Sequence, residues 1–163
     1  MIKAYTPEQL RRALGSFATG VTVVTTRCKE GKLVGLTANS FSSVSLDPPI
    51  ILWSLKISSP SLSAFDHCGR FAINVLARDQ VATSRLFASQ QANKFEGIAH
   101  RMSANGLAIL EGCVASFECR IEQRLEVGDH ILFLGRVEDF NHQSGDGLLY
   151  WQGQYAQGLG LDA

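Results

Sequence analysis

Cys113-Val114-Ala115-Ser116-Phe117-Glu118-Cys119-Arg120-Ile121-Glu122 carries the clearest periodicity in the chain. Cys113, Ala115, Phe117, Cys119 and Ile121 alternate with Val114, Ser116, Glu118, Arg120 and Glu122. A period of two places alternate side chains on opposite faces of a half-buried strand. Gly128-Asp129 then marks a turn, and His130 to Phe140 runs back as a partner strand.

Working outward, Thr6-Pro7-Glu8-Gln9 reads as a helix start, with Thr6 as cap, Pro7 in the first turn and Gln9 completing a capping box. Leu10, Leu14, Phe17 and Ala18 follow as one apolar stripe that Gly20 ends. Val21 to Thr26 is β-branched and reads as a strand; Lys29 to Lys32 is a turn, and Leu33 to Thr37 returns. Ala38 to Leu46 is rich in small polar residues and is punctuated by Asp47-Pro48-Pro49. Ile50 to Leu55 reads as a buried strand. Ser59 is the expected cap of a helix that turns Leu62 and Phe65 inward. Phe71 to Leu76 is a further strand, Asp79 the expected cap of a helix reaching about Ala88, and Leu148 to Trp151 a last short strand. Ser89 to Asn105 is polar and ambiguous. Six or seven strands, several joined by tight turns, with two or three short helices, predict a mainly β barrel.

The 163 residues make one domain, 1–163, the expectation. A chain of this size buries roughly 70% of its unfolded surface. Apolar residues make up 45% and charged residues 18%, which excludes a disordered tail. Fifteen basic residues balance fifteen acidic ones. Nucleic-acid binding is therefore not expected, because phosphate neutralisation needs a basic excess. No apolar run approaches the ~18 residues that cross a bilayer, and Met1 to Tyr5 shows no secretory segment. Cys28, Cys68, Cys113 and Cys119 include no C-x-x-C pair. In an extended strand Cys113 and Cys119 stand ~20 Å apart, too far to bridge. These features predict a reduced, cytoplasmic protein with no membrane contact and with cysteines as small core residues.

No phosphate loop, dinucleotide fingerprint or nucleophile elbow is present. His67, His100, His130 and His142 are scattered, with no metal-ligand spacing. What stands out is Gly35-Leu36-Thr37-Ala38-Asn39-Ser40-Phe41-Ser42-Ser43-Val44-Ser45-Leu46-Asp47-Pro48-Pro49, with its hydroxyls and one carboxamide between two strands. Such groups beside accessible N–H donors suit a flat heterocycle that alternates donors and acceptors. On composition alone, a solvated connection is the preferred reading of the segment.

Gly15 to Thr26, the Thr-Ala-Asn-Ser segment with its Pro-Pro, Phe71-Ala72-Ile73-Asn74-Val75-Leu76, Gly128-Asp129-His130 and Gly153-Gln154-Tyr155 occur in that order. Together they resemble the flavin reductase domain family, short-chain reductases that supply reduced flavin to two-component monooxygenases. The resemblance runs from Glu8 to Gln157. It implies an FMN-binding split β-barrel of Greek-key type with a few short flanking helices, FMN or FAD as cofactor, NADH or NADPH as electron donor, a homodimer and a flavin-dependent monooxygenase partner.

The resemblance also assigns residues. Thr37, Ala38, Asn39 and Ser40 lie along the isoalloxazine and ribityl chain, and Ser54 and Leu55 approach the ring. The Ser58-Ser59-Pro60-Ser61 turn, through Ser59 and Ser61, meets the phosphate. That turn lacks the basic residue some relatives carry there, with Lys56 or Arg85 as the expected substitute. Ala88, Ser89 and Gln90 lie near the flavin; read alone they are a helix C-terminus. Lys94 and Phe95 are noted beside them without assignment to the site. His130 faces the nicotinamide side and is the catalytic candidate; read alone, Asp129-His130 is a locally paired turn. Tyr155 shields the flavin or stacks on nicotinamide, and the alternative is ordinary aromatic packing. Trp53 and Trp151 read as core or interface residues. No metal is expected.

The implied reaction is hydride transfer from NAD(P)H to flavin, which needs orientation rather than a strong acid or base. Three other readings compete. A non-catalytic flavin carrier would leave the flavin band unbleached by NADH. A pyridoxamine-phosphate-oxidase-like enzyme would want clustered basic residues for a second phosphate. A flavin-free binding domain would take up no FMN.

Overall fold

The computed structural model describes residues 5–158. In chain order the elements are α1 (Pro7–Leu14), β1 (Thr19–Gly20), β2 (Thr22–Arg27), β3 (Leu33–Ala38), β4 (Ser42–Leu46), β5 (Pro49–Lys56), α2 (Leu62–Cys68), β6 (Arg70–Val75) and α3 (Val81–Ala88). After them come β7 (His100–Met102), β8 (Ala108–Leu110), β9 (Ala115–Val127), β10 (His130–His142), β11 (Leu148–Trp151) and β12 (Gln154–Gln157).

Seven strands form one antiparallel sheet in the order β3-β2-β6-β9-β10-β5-β4. Its edges, β3 and β4, are consecutive in sequence and joined only by Asn39, Ser40 and Phe41. A flat sheet of seven strands would set its edges about 29 Å apart, whereas this link spans at most ~14 Å. The sheet must therefore curl until its edges nearly meet. β3 and β4 do not pair with each other, so the cylinder stays split along that seam.

The barrel fills with Val24, Ile51, Leu55, Ile73 and Ile131 around an aromatic cluster. Trp53 stacks on Phe133 at 5.1 Å and meets Phe65 of α2 at 4.8 Å and Phe71 at 5.7 Å. Gly135 makes room for this cluster. A Cβ there would sit 2.4 Å from the Phe71 ring, well inside van der Waals contact. A second apolar layer, with Val21, Val23, Leu76, Phe87 and Leu148, packs α3 and the β11–β12 hairpin on the outside. β2 is thus buried on both faces.

The structure has twelve strands among the described residues where the sequence predicts six or seven, and it departs from the sequence reading in several local features. α1 keeps its capping box, with Thr6 N–H donating to Gln9 Oε1 at 2.9 Å and Gln9 N–H to Thr6 Oγ1 at 3.2 Å. It stops at Leu14, however, and buries nothing; Leu14 and Phe17 are 67% and 78% exposed. Periodicity reports an amphipathic face, but not what covers it. Ser61, not Ser59, occupies the N-cap of α2, and Ser59 Oγ instead accepts from Ser61 N–H at 3.3 Å. Gln80, not Asp79, precedes α3, its Oε1 accepting from Ala77 N–H.

On β9, Ser116 and Glu118 are buried although the alternation points them outward. β8 lies across that face: Leu107 and Ile109 pack on Ala72, Asn74 Oδ1 accepts from Leu110 N–H, and Asn105 donates to Glu118 Oε2. The polar stretch before it thus holds a β-ribbon, β7–β8, and the small polar run after β3 holds β4. Among the described residues no helix is long and apolar enough to cross a membrane.

Candidate functional site

The site grows from the outer face of β3. Leu36 and Ala38 turn toward the barrel interior. Gly35 and Thr37 turn the other way, against α3. A Cβ on Gly35 would lie 2.6 Å from the Phe87 ring, so only glycine lets the Phe87–Phe95 edge-to-face pair, centroids 5.0 Å apart, rest on this strand. Thr37 Oγ1 donates to Ser84 O at 2.6 Å and ties β3 to α3. Two cavities flank that contact.

One cavity, of about 200 Å³, brings together Thr37, Ala38, Asn39, Ala88 and Tyr155, with Ser84, Val21 and Tyr150 completing the wall. Five of the expected residues, from three distant segments, therefore meet here. Tyr155 is held on three sides. Its hydroxyl lies 2.9 Å from Ser84 Oγ, its ring is edge-to-face with Tyr150 at 5.5 Å, and the Arg85 guanidinium sits over it at 5.5 Å. Asn39 is exposed at the mouth and its carboxamide has no hydrogen-bond partner among the described residues.

The other cavity, of about 620 Å³, holds Ser61, Ser89 and Gln90 beside Pro60, Lys32 and Lys94. The Ser89 hydroxyl is committed to the end of α3, donating to Leu86 O at 2.7 Å. Lys94 Nζ donates to Phe87 O at 2.9 Å and Gly35 O at 3.4 Å. Burial holds its ammonium below the usual lysine range. Lys94 and Lys32 are thus the two lysines on the wall of this cavity. Neither Lys56 nor Arg85 lines this cavity: Lys56 pairs with His130 across β5 and β10, and Arg85 lies on Tyr155.

The remaining expected residues line neither cavity. Ser40 Oγ accepts from Ser54 N–H at 2.9 Å and donates to Ser54 O at 3.2 Å, pinning the link between the sheet edges onto β5. The Leu55 side chain is in the barrel core, so only its backbone can face a ligand. Ser59 lies in the turn that Lys56 O closes by accepting from Ser59 N–H at 2.9 Å. His130 stands at the head of β10, half exposed, with Nδ1 2.7 Å from Asp129 Oδ1. That contact holds the Asp129 carboxyl below the usual range. An ionised carboxylate only accepts, so the Nδ1 proton belongs to the ring and Nε2 faces outward as an acceptor when the ring is neutral. Ile57 N–H donates to Asp129 O at 2.9 Å, which joins this turn to the chain leading into Ser58–Ser61.

Ser84 and Tyr150 are lining residues the sequence reading passes over, and Lys94, beside Phe95, is one that it notes without assigning to the site. Lys94 lies in the polar stretch without periodicity, and nothing local marks Ser84 as facing β3.

A flat ring with a polar edge and a phosphate tail fits this ground: an apolar and aromatic wall, a free carboxamide at the mouth, and a lysine with serine donors next door. The model of the flavin reductase like domain matches residues 14–159. A flavin reductase of Pseudomonas putida is 38% identical over 93% of this chain and 90% of its own length. The reductase component of a flavin-dependent trigonelline monooxygenase of Acinetobacter baylyi is 41% identical over 90% of this chain. The chain spans about half the length of that relative, and about half that of one from Rhizobium meliloti. The NADH:FAD oxidoreductase of Streptomyces globisporus C-1027, solved in complex with NAD and FAD fragments, superposes with a TM-score of 0.90 at 33% identity, covering 96% of this chain and 97% of its own. A match that runs through nearly every strand, on a fold shared at this level, makes the chain a member of the flavin reductase like domain family.

Proposed function

We propose that this chain is an NAD(P)H-dependent flavin reductase whose reduced FMN or FAD serves a partner monooxygenase. The observation that carries it is the convergence of Thr37, Ala38, Asn39, Ala88 and Tyr155 on one cavity beside a second that contains Lys94. Similarity to reductases, including the reductase component of a monooxygenase, supports the reading.

The hydride-accepting chemistry comes from the cofactor; the chain's own groups bind and orient. Asn39 offers both a donor and an acceptor to a heterocycle edge. Lys94 and the Ser61 hydroxyl suit a phosphate, with a charge-assisted bond from the ammonium. Tyr155, clamped by Ser84, Tyr150 and Arg85, gives a rigid aromatic face at little entropic cost. Asp129 keeps the His130 proton on Nδ1 and leaves Nε2 to accept from a carboxamide N–H of nicotinamide. No strong acid or base is needed, since holding donor and acceptor in a near-attack geometry supplies most of the rate.

A second copy of the chain is the proposed partner in the resting state. Phe140, 67% exposed, stacks on Phe117 at 6.3 Å, and Phe117 on Phe41 at 5.8 Å. Val44 and Leu46 on β4 are exposed as well, and large exposed apolar groups of this kind mark association surfaces. A cytoplasmic setting agrees with four free cysteines.

Mixing purified protein, FMN and NADH without oxygen tests the activity. Catalysed loss of the oxidised-flavin band is expected; an unbleached band with flavin bound would identify a carrier instead.

A further inference from the structure

Ser84 and Tyr155 both line the small cavity, and their hydroxyl oxygens lie 2.9 Å apart. Neither hydroxyl has another hydrogen-bond partner among the described residues. Two hydroxyls carry two protons, and one bond between them uses one. The second proton is unspent. Burial decides which residue keeps it. Ser84 is fully buried, and its backbone is committed: its N–H donates to Gln80 O at 3.0 Å and its carbonyl accepts from Thr37 Oγ1 at 2.6 Å. With Tyr155 as the donor, the Ser84 proton would be shut in without an acceptor, which carries the full desolvation penalty of a buried polar group. With Ser84 as the donor, the unspent proton sits on Tyr155. That residue is only half-buried, so water or a ligand in the cavity can accept from it.

The direction of this donor is fixed by the fold. Tyr150 meets the Tyr155 ring edge-to-face on one side and the Arg85 guanidinium covers it on another, each at 5.5 Å. Ser84 occupies one lone pair of the phenolic oxygen, and Thr37 holds Ser84 itself against β3. Tyr155 thus has a second use besides its aromatic face, as a hydrogen-bond donor on the wall that also carries Thr37 and Asn39.

We infer that Tyr155 donates its hydroxyl proton in a hydrogen bond to an acceptor atom of the isoalloxazine, with Ser84 as the positioning residue that aims it. The inference rests on the proposed reductase function and deepens it. A hydride carries two electrons and one proton, so its addition to neutral oxidised flavin leaves the ring an anion. A hydrogen bond to an ionised acceptor is roughly twice as strong as one to a neutral acceptor. The Tyr155 hydroxyl therefore stabilises reduced flavin more than oxidised flavin, and it does so where charge develops during the transfer.

The midpoint potential of FMN, measured with protein in excess over flavin, tests it in the wild type, Tyr155→Phe and Ser84→Ala. Tyr155→Phe keeps the aromatic ring and removes the donor. Its affinity for reduced FMN should fall about tenfold more than its affinity for oxidised FMN. A tenfold difference between the two forms lowers a two-electron potential by about 30 mV. Ser84→Ala should lower the potential in the same direction and by less, because the proton remains but is no longer aimed. In both variants the KM for NADH should hold while kcat falls. Ser84→Ala places a strong helix former in α3 and carries the test by itself if the tyrosine variant does not fold. An unchanged potential in either variant overturns the inference and leaves the reductase reading standing. Failure of the wild type to bind FMN or oxidise NADH overturns the reductase reading instead.

Discussion

The hydroxyl of Ser40 bonds both backbone groups of Ser54, accepting from its N–H at 2.9 Å and donating to its C=O at 3.2 Å. One side chain thereby fastens the only direct link between the two sheet edges to β5. Asn39, at the mouth of the small cavity, is the residue next to it. Closure of the barrel and placement of the site are thus the same event.

Ser40→Ala removes the partner of a half-buried N–H and C=O. A stability loss of about 1–3 kcal/mol is expected for backbone groups left unpaired. FMN affinity should fall with it, because Asn39 loses its anchor. Thermal melting and a fluorescence titration with FMN check both; a variant that melts like the wild type and binds FMN equally would remove the seam from the account.

Asn39→Ala should separate the two effects. The side chain is exposed and makes no bond within the described chain, so stability should hold within about 0.5 kcal/mol. FMN binding should weaken by roughly tenfold, the value of one or two polar contacts. Unchanged FMN affinity would argue that the ring does not meet this carboxamide.

His130→Ala tests the nicotinamide side. The ring is outside both cavities and bonded to Asp129, so the KM for NADH should rise several-fold while FMN affinity holds. Equal loss of both, or loss of neither, counts against the assignment. Asp129→Ala should give a weaker version of the same effect, by freeing the imidazole to turn.

Burial pushes the Cys113 and Cys119 thiols up from 9.0 to about 12. The sign follows from linkage. A raised pKa keeps the folded thiol protonated where the unfolded thiol has already ionised, so its contribution is complete below pH 9 and lost as pH rises toward 12. Each cysteine should cost about 1.4 kcal/mol of stability per pH unit in that window. Denaturant melts of wild type and Cys119→Ala between those pH values should show a shallower slope in the variant. At pH 8 a thiol reagent should reach these two cysteines only after unfolding, since the thiolate is the nucleophile.

Local signals survived the move to three dimensions because the forces behind them act between near neighbours. The capping box at Thr6 and Gln9 needs three residues, and the β9–β10 hairpin needs only alternation and a Gly128-Asp129 turn. Both were readable from order alone; the Thr-Ala-Asn-Ser segment was singled out by its resemblance to a family, and its Thr37, Ala38 and Asn39 line the small cavity. What came from packing was everything that depends on a covering layer. The stripe of α1 is amphipathic in sequence yet lies uncovered, while Glu118, outward by alternation, is roofed by β8. Lys94 lies in a polar stretch without period, and it reaches the cavity wall because Gly35 admits the Phe87–Phe95 pair that carries it there. Amino-acid order sets which residues can form a strand or a cap. Curling seven strands over a three-residue link decides which distant side chains share a cavity, because that proximity is a property of the closed sheet and of no segment within it.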